Sequence, residues 1–341
     1  MNRVPPGRSV EVRVPASSAN LGPGFDSIGL ALGLWDRYVV TTSAAEGLSV
    51  AVTGEGAGDV PTDERHLVHA SMRHTWGVLG VEPPAGLHID AANGVPHGRG
   101  LGSSATAIVA GVVAAQALSL GVAGVAGVAG VGAVAAAGDE QAYAVWPAPG
   151  QPVPFDEGLA VHLSSRLEGH PDNASASVVG ALTVSWMPDG TGLDRGDRTV
   201  TARIELHPDV DVVVFVPDAQ LATRTARAVL PATVPLAAAA ANAGRAALLV
   251  HALTSDPCHL HAATRDWLHQ EPRRSSYPGT MELVDLLRSQ GHAAVVSGAG
   301  PSVLVLATRD SAAAVQAGRL AGEWERLTPG VPATGATVRA R

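Results

Sequence analysis

Strand-like and helix-like stretches mix along the whole sequence, which predicts an α/β or α+β fold of about two domains. Three observations carry that expectation. The chain has 341 residues, and a domain takes roughly 150. Short apolar or alternating runs recur between segments with helical spacing. Hydrophobic residues make up 46% and charged residues 16%, enough apolar surface to close a core without a disulfide or metal staple.

The elements follow in order. Val10–Val14 alternates apolar and charged residues and predicts a strand. Ala16–Asp26 is rich in breakers and small polar residues, and predicts a loop. Ser27–Leu34 is apolar and opens either a helix or a strand, and strands follow at Tyr38–Thr42, Leu48–Val52 and Gly86–Asp90. Helical spacing marks Arg65–Leu79, with His66, His69, Met72, Arg73 and Trp76 on related positions. Ala107–Leu120 reads as an alanine-rich helix behind a glycine-rich turn at Pro96–Ala105. Repeated Val-Ala-Gly over Gly121–Val134 predicts weak or irregular structure, because glycine costs a helix about 1 kcal/mol against alanine. A proline-rich loop spans Gly138–Gly158. Helices are expected at Val161–Glu168, Thr223–Leu230, Leu236–Leu253, Met281–Gln290 and Ala312–Leu327. Strands are expected at Ala181–Trp186, Val210–Val216, Ala293–Val296 and Ser302–Ala307.

Composition excludes several function classes. Net charge is −8, so neither nucleic acid nor an anionic membrane is an expected partner. Cys258 is the one cysteine, which excludes an internal disulfide, a zinc cluster and an iron–sulfur site. The N-terminal segment lacks a signal peptide's apolar run, so a cytoplasmic location is expected. All 23 basic residues are arginine. Without lysine there is no Walker-type phosphate loop, no protein-kinase lysine and no Schiff base. Any phosphate must be held by backbone N–H groups, arginines, hydroxyls or a metal.

Four loops carry candidate chemistry. Pro96–Ala105 (PHGRGLGSSA) sets Gly98, Gly100 and Gly102 close together and leads into a helix capped near Ser103 and Ser104. Backbone can approach a ligand closely there, and the unpaired N–H groups of the helix start favour an anion. A glycine-rich turn with a serine cap is the structural alternative. Ser297–Ser302 (SGAGPS) is either a tight hairpin turn or a second wall of a phosphate pocket. Asn20–Asp26 (NLGPGFD) offers Asn20 and Asp26 to the amino and hydroxyl groups of a small substrate. Glu168–Asn173 (EGHPDN) offers a carboxylate suited to Mg²⁺. Arg224, Arg227, Arg273 and Arg274 could match carboxylate or phosphate, although a surface arginine is more often simply solvated.

NLGPGFD, then PxxxGLGSSA, then EGHPDN, then SGAGPS, in this order from about Val10 to Leu306, resembles the GHMP small-molecule kinases. EGHPDN and SGAGPS resemble most the branch acting on L-homoserine. The resemblance implies an α+β chain of two domains. Residues 1–178 would form an N-terminal α/β domain with the phosphate loop and an insertion at about 121–158. Residues 179–341 would form a C-terminal ferredoxin-like α/β sandwich, and the chain would be a homodimer. It implies ATP at Pro96, Gly98, Gly100, Leu101, Gly102, Ser103, Ser104 and Ala105, buttressed by Ser297, Gly298 and Gly300. It implies Mg²⁺ at Ser103, with Ser104 as the alternative, and at Glu168. It implies substrate contacts from Asn20, Asp26, His170, Asn173, Arg227 and Arg273, with Arg274 as the fallback for the carboxylate. Thr223, Arg227 and Asn173 take the catalytic role, by stabilising charge rather than as a base. Another small alcohol, or a ligand-binding paralogue without catalysis, remains open at this point.

Overall fold

In the computed structural model, residues 2–122, 146–187, 198–318 and 323–341 are described. The Val-Ala-Gly tract beyond residue 122 and the first half of the proline-rich loop lie outside them. The chain builds two sheets. The first has the order β11-β1-β2-β4-β3, with β5 joined to β2 and β6 to β5. Its strands are β1 (Ser9–Asn20), β2 (Gly24–Ser43), β3 (Gly47–Gly54), β4 (Gly86–Asn93), β5 (Leu182–Trp186), β6 (Val200–Ile204) and β11 (Thr337–Ala340). β3 and β4 run parallel and the other pairs are antiparallel.

The second sheet is antiparallel, in the order β10-β7-β9-β8. It contains β7 (Val210–Pro217), β8 (Ala293–Val296), β9 (Val303–Thr308) and β10 (Trp324–Leu327). Helices α5 (Thr223–Ala228) to α8 (Pro278–Ser289) separate β7 from β8, and α9 (Arg309–Ala317) separates β9 from β10. Numbered within this unit, the order is 4-1-3-2 with βαββαβ connectivity, the split βαβ arrangement of ferredoxin-like folds. The α+β class and the C-terminal sandwich expected from the sequence are both present.

Several expectations are corrected. The loop predicted at Ala16–Asp26 is mostly strand. β1 runs to Asn20, β2 starts at Gly24, and only a tight turn lies between. Three consecutive left-handed residues, Asn20 (φ 70°), Leu21 (φ 48°) and Gly22 (φ 89°), reverse the chain there. The breakers mark a turn of three residues rather than a loop of eleven. The segment from Ala312 to Leu327 is not one helix. α9 ends at Ala317, and β10 pairs with β7 from Trp324. A boundary at 178 does not match the sheets either. β5 and β6 stay with the first sheet, and β11 returns from the far end of the chain to pair with β1.

α2 (Ser103–Leu118) is the central pillar. Its sequence, SSATAIVAGVVAAQAL, is apolar on every side, and 13 of its 16 residues are buried, as a helix without a polar face must be. It packs with α1 (Leu67–Leu79) and α3 (Glu157–Glu168) against the first sheet, around Trp76, Met72, Ile89 and Val113. A second apolar cluster joins the two sheets through Leu21, Leu30, Leu101, Val214, Leu249 and Leu304.

One polar side chain fixes the start of the glycine loop. Asp36 in β2 is fully buried. It accepts from the backbone N–H groups of Gly94 (2.8 Å) and Val95 (3.0 Å), from Thr106 Oγ1 in α2 (2.5 Å) and from Tyr38 Oη (3.2 Å). Burial raises its carboxyl above the ordinary range, and these donors pull the other way. Asp36→Ala should therefore lower unfolding free energy by about 2–4 kcal/mol, since two buried N–H groups and two hydroxyls lose their acceptor. Urea denaturation of the purified protein measures this, and an unchanged midpoint would contradict it.

Candidate active site

Six separated sequence segments meet in one cavity of about 140 Å³ where the sheets and α2 converge. Its wall includes Gly98, Gly100, Gly102, Ser103 and Ser104 from the glycine loop and the first turn of α2. Asn20 comes from the β1–β2 turn, and Glu168, His170, Asp172 and Asn173 from the α3–α4 junction, where α4 spans Asp172–Val179. Thr223 and Arg227 enter from α5, Arg273 from the segment after α7 (Leu260–Ala263), and Gly298 and Ala299 from the β8–β9 turn.

The glycine loop has the backbone an anion site requires. Gly98, Gly100 and Gly102 are all left-handed, at φ 65°, 73° and 74°, where other residues are strained. A Cβ on Gly100 would stand 2.3 Å from the Ser297 carbonyl oxygen, and one on Gly102 the same distance from Ser17 Oγ. Gly102 precedes α2 with no side-chain cap. The first N–H groups of α2 therefore open on the cavity, with the positive end of the helix dipole behind them.

The expected phosphate-loop residues divide in two. Gly98, Gly100, Gly102, Ser103, Ser104 and Gly298 line the cavity. Pro96, Leu101, Ala105, Ser297 and Gly300 stand behind its wall. Leu101 and Ala105 are core residues. Ser297 Oγ donates to the Gly100 carbonyl (2.7 Å) and lies 2.8 Å from Ser18 Oγ, whose hydroxyl can donate to it, so the second glycine loop braces the first. Ser297–Ser302 forms the β8–β9 hairpin turn, and its Gly298 and Ala299 line the cavity.

Ser104, rather than Ser103, meets Glu168, its Oγ donating to the carboxylate at 2.9 Å. Glu168 ends α3 across the cavity from the start of α2. Burial raises its carboxyl above the ordinary value, and His170, Ser104 and Arg227 only partly compensate. A carboxylate and hydroxyls facing an anion-binding helix end are hard oxygen donors, a set that fits Mg²⁺ with phosphate oxygens.

His170 and Asp172 form a buried pair, Nδ1 to Oδ1 at 2.7 Å. Burial disfavours charge on His170, but the hydrogen bond and the Asp172 and Glu168 carboxylates outweigh it and hold the pKa above 6.5. Asn173 accepts from Ser17 Oγ at 3.1 Å. Two expected substrate contacts are committed elsewhere. Asn20 donates to the Gly298 carbonyl (2.9 Å) and accepts from the Asp26 N–H (3.1 Å), so its side chain ties two loops together. Asp26 is not on the cavity wall. Both its oxygens receive the Arg227 guanidinium, at 3.0 and 2.5 Å.

Arg273 and Arg274 are separated clearly. Arg274 is on the surface, paired with Glu271 and Asp285. Arg273 is 1% exposed, lines the cavity, and donates through Nε to the Ala226 carbonyl at 2.9 Å. Among the described residues no carboxylate lies within ion-pair distance of its guanidinium. Burial lowers its pKa. A buried unpaired cation on a cavity wall suits an anionic group brought by a ligand.

The family models for the GHMP kinase N-terminal domain and the GHMP kinase C-terminal region match residues 66–125 and 238–321. The homoserine kinase of Streptomyces avermitilis is 46% identical over 331 residues, covering 97% of this chain and 95% of the relative. The chain belongs to the homoserine kinase family of GHMP kinases. The homoserine kinase of Streptomyces coelicolor is 45% identical, with 97% and 94% covered. In structure, this GHMP kinase is similar to the homoserine kinase of Cytophaga hutchinsonii, with a TM-score of 0.72, 22% identity and 97% of each chain covered. That likeness is one of fold.

Sequence reasoning missed Asp36, Ser17 and His269. Asp36 left a weak signal, a carboxylate beside Arg37 in the middle of β2. The others left none. Gly100→Ala should push the two glycine loops apart and abolish ATP binding while the protein still folds, read by nucleotide titration calorimetry beside a melting curve. Wild-type ATP affinity in this variant would contradict the close packing of the loops.

Proposed function

We propose that this GHMP kinase transfers the γ-phosphoryl group of ATP to the side-chain hydroxyl of L-homoserine, as a step of threonine biosynthesis in the cytoplasm. The hydroxyl oxygen forms the new bond to phosphorus, the bond from the γ-phosphorus to the bridging oxygen of ADP breaks, and the hydroxyl proton is released. The observation that carries this reading is Arg273, a buried cation with no carboxylate partner among the described residues, on the same cavity as the start of α2. One group awaits a carboxylate and the other a phosphate, which matches an amino-acid alcohol meeting a nucleotide.

Phosphoryl transfer needs alignment and charge stabilisation more than covalent help. The N–H groups of the glycine loop and α2 would cradle the phosphates. A neighbouring apolar cavity of about 320 Å³ shares Gly98, Ser103 and Ser104 and adds Val60, Pro61, Leu67 and Ala107, a place for the base of the nucleotide. Mg²⁺, held by Ser103 or Ser104 and Glu168, would supply positive charge to the phosphate oxygens. Arg227, held by Asp26, and Thr223 would face the transferring group. Arg273 would take the substrate carboxylate, while Asn173 and His170 would aim its hydroxyl. Asp172, on the cavity wall, would offer the negative charge an ammonium needs.

A homodimer is part of the proposal. α6 (Leu236–Thr254) is apolar and long enough to cross a membrane, and only Asn242, Leu249, Ala252 and Leu253 are buried in it. Asn242 ties it to the Pro23 carbonyl at 2.8 Å, and Arg245 interrupts it. Its exposed face, with Leu236, Val229 and Val234 at one end, is better explained as a subunit contact than as a span. Light scattering after gel filtration should give twice the chain mass, and Leu236→Arg should shift it toward the monomer. A monomeric wild type would contradict the dimer.

Purified protein with ATP, Mg²⁺ and L-homoserine should yield a phosphoester by phosphorus NMR, and chelation by EDTA should stop it. A folded protein that makes none would overturn the reading. Arg273→Ala should raise the apparent homoserine constant about 100-fold and leave that of ATP within about threefold, consistent with the loss of a charged hydrogen bond. Equal effects on both substrates would contradict the carboxylate role.

A further inference from the structure

We propose that His269 is a positioning residue for recognition of the substrate carboxylate, acting through Arg273 as a neutral imidazole that anchors the guanidinium to the β1–β2 turn. The inference rests on the function proposed above and adds a residue outside the cavity wall.

The geometry leaves little choice of protonation state. His269 is fully buried in the segment after α7. Nδ1 lies 3.2 Å from Arg273 Nη1, and an arginine can only donate. Nε2 lies 2.8 Å from the Gly22 carbonyl, which can only accept. The ring must therefore accept at Nδ1 and donate at Nε2, and that is the neutral form. Burial and the neighbouring Arg273 guanidinium both keep it neutral, against the Asp266 and Asp26 carboxylates and the Gly22 hydrogen bond.

The arrangement has a purpose beyond packing. Arg273 carries five N–H donors. Nε is spent on Ala226 and one hydrogen of Nη1 on His269. Phe25 stacks on the imidazole, with centroids 5.3 Å apart, and lies 5.6 Å from the guanidinium carbon. These contacts fix the guanidinium plane of a residue that lines the cavity. Any carboxylate on the protein in place of His269 would pair Arg273 permanently and compete with the ligand. A neutral acceptor orients the arginine without cancelling its charge. The anchor at Gly22 also couples Arg273 to the turn that carries Asn20.

The test is steady-state kinetics of His269→Ala, His269→Asn, Arg273→Ala and the His269→Ala/Arg273→Ala double variant, each with its melting temperature. His269→Ala should raise the homoserine KM about 10- to 100-fold, the range for losing a hydrogen bond to a charged group, with the ATP KM almost unchanged. His269→Asn, whose Oδ1 can stand where Nδ1 accepts, should recover most of the loss. The double variant should be no worse than Arg273→Ala alone, because His269 acts through Arg273. With 3-aminopropan-1-ol, the substrate without its carboxylate, His269→Ala and the wild type should be alike. Additive losses in the double variant, or an equal loss on the carboxylate-free alcohol, would overturn the inference. A wild type that phosphorylates homoserine while His269→Asn and His269→Ala match it would overturn this inference alone. A wild type that makes no phosphoester removes the parent reading, and the inference falls with it.

Discussion

The site depends on three turns that hydrogen-bond one another. The β1–β2 turn, the glycine loop before α2 and the β8–β9 turn come from positions near 20, 100 and 300. Ser17 N–H donates to the Leu101 carbonyl, Gly298 N–H to Ala19 and Ser302 N–H to Arg99. Asn20 and Ser297 add side-chain bonds across the same junction. These bonds pair backbone groups of one turn with those of another, so moving one turn leaves a partner in its neighbour unpaired. Ligand contacts sit on this junction, so a phosphate is met by amides already held in place.

Electrostatics divides the cavity into complementary parts. Arg227 and Asp26 neutralise each other, so the pair orients a cation without placing a free charge in the wall. Arg273 and Glu168 are different. Each is largely withdrawn from water, and burial shifts each toward its neutral form. Such groups are costly in the empty site and are relieved when an anion reaches one and a cation the other. This arrangement suits the proposed ligands, a carboxylate at Arg273 and a metal-bound polyphosphate beside Glu168. Asn20 shows the opposite use of polarity. It resembles a substrate ligand in sequence, yet both ends of its amide are spent on the backbone.

What could be read from the sequence follows from the range of the forces involved. Helix and strand periodicity is local, so α1, α2, α6 and α8 and strands β3, β4, β5, β7, β8 and β9 fall close to their predicted places. The glycine loop before α2 was legible because left-handed turns demand glycine whatever lies around them. Long-range pairing was not. β11 forms because β1 offers an open edge more than 300 residues earlier in the chain, and β10 because β7 does. Asp26 and Arg227 stand 201 positions apart, and no local pattern announces that they meet. His269 carries no sequence signal at all, since its role is set by one carbonyl in a distant turn and one arginine a helical turn away.

The absence of lysine ties these points together. An ammonium on a flexible stem can reach a phosphate from many backbone positions. Without one, the charge must come from arginines, which are planar and need their planes fixed, or from amides, which cannot reach at all and must be brought to the ligand. Both demands fall on the scaffold. The amides are delivered by the closely packed glycine turns, where a single added methyl would meet a carbonyl oxygen at 2.3 Å. The arginines are held by neighbours of different kinds, a carboxylate for Arg227 and a carbonyl with a neutral imidazole for Arg273. The first arrangement settles an arginine's charge within the protein, and the second leaves it open to the ligand, so the choice of neighbour decides which arginine recognises a carboxylate.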